Sequence, residues 1–89
     1  MSNTNDTICA ISTPTGRGAI SIIRVSGDEV FSIVSSIFSG KHNIRDSGGG
    51  SIVHGHIIEP DSEEIVDEVL LFIFRKPNSY TGEDMIEIS

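Results

Sequence analysis

AISIIRVSGDEVFSIVSSIFSG, residues 19–40, reads as a strand running into a helix, and that junction decides the fold class. Residues 19–25 (AISIIRV) are rich in β-branched side chains, which pack well on a pleated surface and lose rotamer freedom in a helix. Past Ser26 the period changes. Val30, Ile33, Val34, Ile37 and Phe38 recur at helical spacing and make one apolar stripe. Ser26 and Glu29 have the spacing of a capping box, in which each side chain satisfies a free backbone N–H. Gly40 stands where such a helix would end, as a residue that takes the left-handed cap conformation cheaply.

Working outward, residues 7–12 (TICAIS) read as a short strand and residues 13–18 (TPTGRG) as turn material, since proline fixes φ and glycine allows positive φ. Residues 41–51 (KHNIRDSGGGS) form a polar, glycine-rich loop expected to move. Residues 52–59 and 65–74 read as two strands, and the short turn at 60–63 makes them an antiparallel pair. Residues 75–84 (RKPNSYTGED) are a second loop, and residues 85–89 (MIEIS) begin another strand. There are no internal repeats. The expected architecture is α+β: one mostly antiparallel sheet with one main helix packed on a face. A chain that stops inside an apolar strand reads as a piece cut from a longer protein. Its last strand is expected to expose an unfinished edge that a partner copy or a neighbouring domain must cover.

Composition narrows the function. Six basic against thirteen acidic residues give a formal net charge of −7, and no basic cluster interrupts it. Phosphate contacts supply most nucleic-acid affinity, so this piece is not expected to hold a nucleic acid alone. No run approaches the ~20 apolar residues of a membrane span, and residues 1–6 lack signal-peptide character, which predicts a cytoplasmic protein with no membrane partner. The single cysteine, Cys9, cannot form an internal disulfide and reads as a small buried hydrophobe of the first strand.

Two charges sit where charges are costly. Arg24 lies between Ile23 and Val25, and Glu87 between Ile86 and Ile88. By the two-residue period both faces around Arg24 look apolar, so its guanidinium needs an anionic partner or a cavity. Either the two pair with each other as structural ions, or each contacts a polar group in a ligand pocket. The TPTGRG loop lacks the GxxxxGK[ST] pattern of a phosphate cradle, leaving Arg17 to a tight connection or to a surface that meets another subunit. His54 and His56 share one face of a strand, yet no third ligand type lies nearby in sequence to complete a metal site. Residues 61–64 read as a solvated turn. Tyr80, the only tyrosine, sits in the second loop and either stacks on a flat ligand or pins the loop to the core. With no nucleophile, metal cluster or phosphate loop, residues 1–89 are not expected to be catalytic by themselves.

Two longer stretches carry a resemblance. Residues 6–27 (DTICAISTPTGRGAISIIRVSG) resemble the opening of the MnmE (TrmE) family of tRNA-modification GTPases, and residues 77–89 (PNSYTGEDMIEIS) resemble that family's second amino-terminal motif. The resemblance implies a parent of three parts: this domain, a helical domain, and a GTPase domain inserted into the helical one. It implies that the parent works with a flavin-dependent MnmG (GidA)-type partner to install an aminomethyl-type group at C5 of the wobble uridine of certain tRNAs. The one-carbon unit would come from a tetrahydrofolate derivative, 5-formyl or 5,10-methylene. GTP, magnesium and potassium would belong to the GTPase domain, outside residues 1–89. The amino-terminal domain would resemble the folate-binding domain of the glycine-cleavage T-protein and form a homodimer. Folate contacts would fall on Arg24 and Glu87, with Tyr80 a further candidate; a family lysine beyond the TGED motif would fall after Ser89. The competing reading is a dimerisation scaffold without folate binding. A self-contained one-carbon transferase needs more chain than 89 residues.

Overall fold

The structure, a computed structural model, describes residues 7–12, 22–79 and 81–89. In chain order it comprises β1 (Ile8–Ser12), β2 (Ile22–Ser26), helix α1 (Val30–Ile37), β3 (Phe38–Ser39), a 3-10 turn (Ile44–Asp46), β4 (Ile52–Ile58), β5 (Ile65–Phe74) and β6 (Met85–Ile88). Among the described residues the strands form one sheet in the order β1-β2-β6-β5-β4-β3, with every neighbouring pair antiparallel. The α+β class expected from the sequence is the one observed.

The main core cluster lies on one face of that sheet, with Met85 buried on the other. Register places Ile23, Ile88, Leu71 and Val53 in one row across β2, β6, β5 and β4, and Val25, Ile86 and Ile73 in the next. Helix α1 covers these rows with Val30, Phe31 and Val34, and Ile44 of the 3-10 turn joins them. Ile33 remains 42% exposed although it belongs to the apolar stripe. The eight-residue helix buries the side holding residues 30, 31 and 34, which turns Ile33 toward an apolar hollow of about 300 Å³ lined also by Ile23, Ile37, Ile57 and Ile88. Cys9 lines that hollow but is exposed, so it is not the buried hydrophobe expected. Among the described residues its strand, β1, is a sheet edge with a neighbour on one side only, and Ile8 and Ile11 share its exposure.

Three local expectations fail for identifiable reasons. The helix carries no side-chain cap, and Glu29 rather than Ser26 precedes it. Ser26 is the last residue of β2, too far from the helix start to reach the N–H groups that a capping box serves. Gly40 does not end the helix: Phe38 already has extended geometry (φ −121°, ψ 136°) and opens β3. Residues 85–89 do not form an unfinished edge either, because β6 lies between β2 and β5 and is paired on both sides. The loop at 41–51 is anchored as well, by buried Ile44 and by Arg75, whose guanidinium donates to the carbonyls of Arg45 and Ser47 and lies 3.9 Å over the Phe31 ring.

Gly55, in the middle of β4, is required by packing rather than by backbone geometry. A Cβ there would overlap the Phe38 ring and stand 2.5 Å from the Ser39 carbonyl oxygen. Gly55→Ala must therefore displace Phe38 or detach β3. It is expected to cost about 1–3 kcal/mol of stability, the usual range for overpacking, as read from the midpoint of urea denaturation.

Candidate functional site: an ion pair on the open face of the sheet

The face opposite α1 carries the two charges singled out in the sequence. Arg24 and Glu87 are direct partners across the β2–β6 pair. The Arg24 guanidinium donates from Nε (2.8 Å) and Nη2 (2.5 Å) to the same carboxylate oxygen, Oε2 of Glu87. Register extends their row to Ala10 on β1, Phe72 on β5 and Ile52 on β4, so the pair sits mid-sheet between an alanine and an aromatic residue. Both faces around Arg24 looked apolar in the sequence; α1 covers one, while on the other Met85 and Ser26, in the row next to the pair, are buried but Arg24 is not. The Arg24 side chain stays 40% exposed, while that of Glu87 keeps 13%.

This exposure sets the energy scale. Cross-strand ion pairs with one solvated partner contribute only about 0.2–1 kcal/mol, because water competes for the guanidinium. The fold gains little from such a pair. What it does gain is a preset donor–acceptor couple: a fork of N–H groups beside a carboxylate, aimed from neighbouring strands and reachable from solvent.

Below this pair, a hydrogen-bonded knot ties the two ends of the sequence together. Ser26, two residues beyond Arg24, is buried, and its Oγ lies 2.7 Å from Thr81 Oγ1 and 3.3 Å from Glu83 Oε2. Glu83 N–H donates to Thr81 Oγ1 and Ser79 Oγ donates to the Glu83 carbonyl. Gly27 N–H donates to the Asp84 carbonyl (3.0 Å), and Lys76 N–H to the Asp84 carboxylate. Gly27 has φ 139°, and a Cβ there would come within 2.5 Å of the Thr7 backbone, so only glycine fits this crossing. Sequence reading missed Ser26, Thr81 and Glu83 as a unit because it assigned Ser26 to the helix. The available signal was polar side chains bracketing two apolar strands that flank the same charges. Ser26→Ala would strand Thr81 and Glu83 in a partly buried site. It is expected to cost about 1–3 kcal/mol, the range for a lost buried hydrogen bond, with Ser26→Thr restoring part of it in thermal melts.

The other candidates scatter. His54 and His56 lie in β4, their rings edge-to-face at 5.9 Å, and His54 Nε2 is 2.6 Å from Glu68 Oε2 on the exposed surface. Among the described residues no three His, Cys, Asp or Glu side chains approach closely enough to hold a metal ion. Tyr80 and Arg17 fall outside the described residues. Among those described, no helix is long and apolar enough to cross a membrane.

With this geometry in hand, the comparison with known proteins is specific. Residues 7–89 match the family described as the GTP-binding protein TrmE N-terminus. The chain belongs to the TrmE N-terminal family. Over 84 residues it is 51% identical to a tRNA modification GTPase MnmE of Lactiplantibacillus plantarum and 46% identical to one of Staphylococcus aureus. Each alignment covers 94% of this chain and 18% of the relative, so the chain spans less than a fifth of those proteins. The TrmE N-terminal match takes in β1 through β6 and hence both ion-pair partners and the knot beside them.

Proposed function

We propose that this TrmE N-terminal chain binds a tetrahydrofolate derivative on its open sheet face and provides the dimer contact of a tRNA modification GTPase. The observation that carries the reading is the juxtaposition of Arg24 and Glu87 as cross-strand partners accessible to solvent. The chemistry of this donor–acceptor set fits the ligand. The Arg24 fork suits an acceptor or carboxylate of a folate. Glu87 suits the amino and ring N–H donors of the pterin edge, and Phe72 occupies the next position of the row. Bound there, the folate would supply a one-carbon unit for the C5 position of the wobble uridine.

The chain's own part in that chemistry is binding and orientation. Arg24 and Glu87 fix the ligand's polar edges, and the knot at Ser26, Thr81 and Glu83 fixes the strand ends from which they project. The family names of the relatives support placement in a tRNA modification GTPase. GTP hydrolysis, with its magnesium and potassium, and contact with tRNA and with a flavin-dependent MnmG (GidA)-type enzyme are assigned to parts of the protein beyond residues 1–89, in the cytoplasm. The short Arg24–Glu87 contact favours one competing reading, in which the pair is purely structural and the chain is a dimerisation scaffold. Equilibrium dialysis of the intact protein against 5-formyltetrahydrofolate separates them. Retention of one ligand per chain supports the proposal, and no retention by a folded dimer overturns its folate half.

A further inference from the structure

On the open face the Arg24–Glu87 pair has a wall along the strands and an apolar floor across them. In the row beside the pair, Ser26 stands opposite Met85 and Met85 opposite Phe74. Ser26 and Met85 are buried there, and Thr81 and Glu83 of the 75–84 loop reach Ser26 Oγ. A flat ligand held at the pair is therefore blocked in that direction. Across the strands, Glu87 is followed by half-buried Phe72 on β5 and exposed Ile52 on β4. Exposed Leu70 lies on the same face, two residues from Phe72 on the side away from the wall. On the other flank of the pair, Ala10 offers only a methyl group. Ile52, Leu70 and Phe72 thus adjoin beside an ion pair, and none belongs to the core cluster on the α1 side. Contiguous apolar surface next to a few convergent polar groups is the usual make-up of a small-molecule site.

The spacing suits a ligand that lies across the strands. Neighbouring strands are about 4.8 Å apart, so Phe72 stands one step and Ile52 two steps from Glu87. A fused two-ring system whose donor–acceptor edge meets Arg24 and Glu87 is wider than one step, and its rings come to lie over Phe72. We infer that Phe72 is the stacking residue of the site, holding the fused ring of the folate against its phenyl while Ile52 and Leu70 take the aryl ring that follows. This assignment rests on the folate reading above and adds the residue that sets the plane of the ring. Arg24 and Glu87 recognise the polar edge, and the phenyl holds the ring by apolar burial and offset stacking.

The test is a proton NMR titration of 5-formyltetrahydrofolate with the intact protein and with its Phe72→Leu and Phe72→Trp variants, each checked for folding by its amide spectrum. A phenyl stacked on the fused ring is expected to move the ligand's C7 proton resonances upfield at saturation. Phe72→Leu keeps an apolar contact and removes the ring, and the backbone pairing of β5 with β4 and β6 does not depend on it. It is expected to abolish the upfield shift and weaken binding about two- to tenfold, the range for one aromatic pair, and Phe72→Trp is expected to restore both. Binding by folded Phe72→Leu that equals the wild type, or a C7 shift that survives the substitution, would overturn the inference and leave the folate reading standing. A folded wild-type protein that binds no ligand would overturn both.

Discussion

Leu71→Ala is expected to lower the unfolding free energy of this protein segment by about 3–5 kcal/mol, the upper range for truncating a buried leucine. Leu71 is fully buried at the centre of β5, flanked in its row by Ile88 on one side and Val53 on the other, with α1 above. Interior strands paired on both sides and roofed by a helix have little room to collapse into a cavity, which favours that upper range. A small domain holds only about 5–15 kcal/mol in total, so the variant should be partly unfolded at growth temperature. Ile52→Ala is the matched control. It removes nearly as much apolar volume from the next strand, but Ile52 is 62% exposed, and its cost should stay within about 0.5 kcal/mol. Urea denaturation of both variants measures the difference; equal losses would mean that the two faces of the sheet are covered alike.

Arg24→Ala carries the second large effect, and magnitude is what separates its two possible roles. If the Arg24–Glu87 pair is only structural, a double-mutant cycle in stability should return about 0.2–1 kcal/mol, because Arg24 is 40% exposed and solvent screens it. If Arg24 grips an anionic or acceptor group of the ligand, its removal should cost about 1.5–3 kcal/mol of binding, a ten- to hundredfold loss of affinity. Glu87→Gln keeps the shape and removes the charge, so it should weaken binding while the strand register, set by the backbone, persists. A binding loss well above the stability coupling identifies a site. A binding loss no larger than that coupling leaves a structural ion pair.

Much of the fold was legible because local chemistry and tertiary structure agree. The β-branched run at 22–26, the antiparallel strands on either side of the turn at 60–63 and the apolar repeat at 30–37 all became the elements they resembled. Failures came where a residue answers to a distant partner. Ser26 had the spacing of a helix cap but is held by Thr81 and Glu83, 55 and 57 positions away. Phe38 continued the helical stripe yet folds back over Gly55 as the start of β3. The last strand looked like an edge because it ends the chain, whereas strand order places it mid-sheet. For the site, alternation identified Arg24 and Glu87 as misplaced charges. It could not say that α1 covers only the opposite face, since that depends on the order of strands rather than on any one of them.

Calorimetric titration of 5-formyltetrahydrofolate into the intact protein, beside its Arg24→Ala variant, distinguishes a folate site from a structural ion pair. Saturable binding at one site per chain is expected, with a loss of at least tenfold in Arg24→Ala while the variant stays folded. Undiminished binding by folded Arg24→Ala, or no heat from the folded wild-type protein, would contradict it.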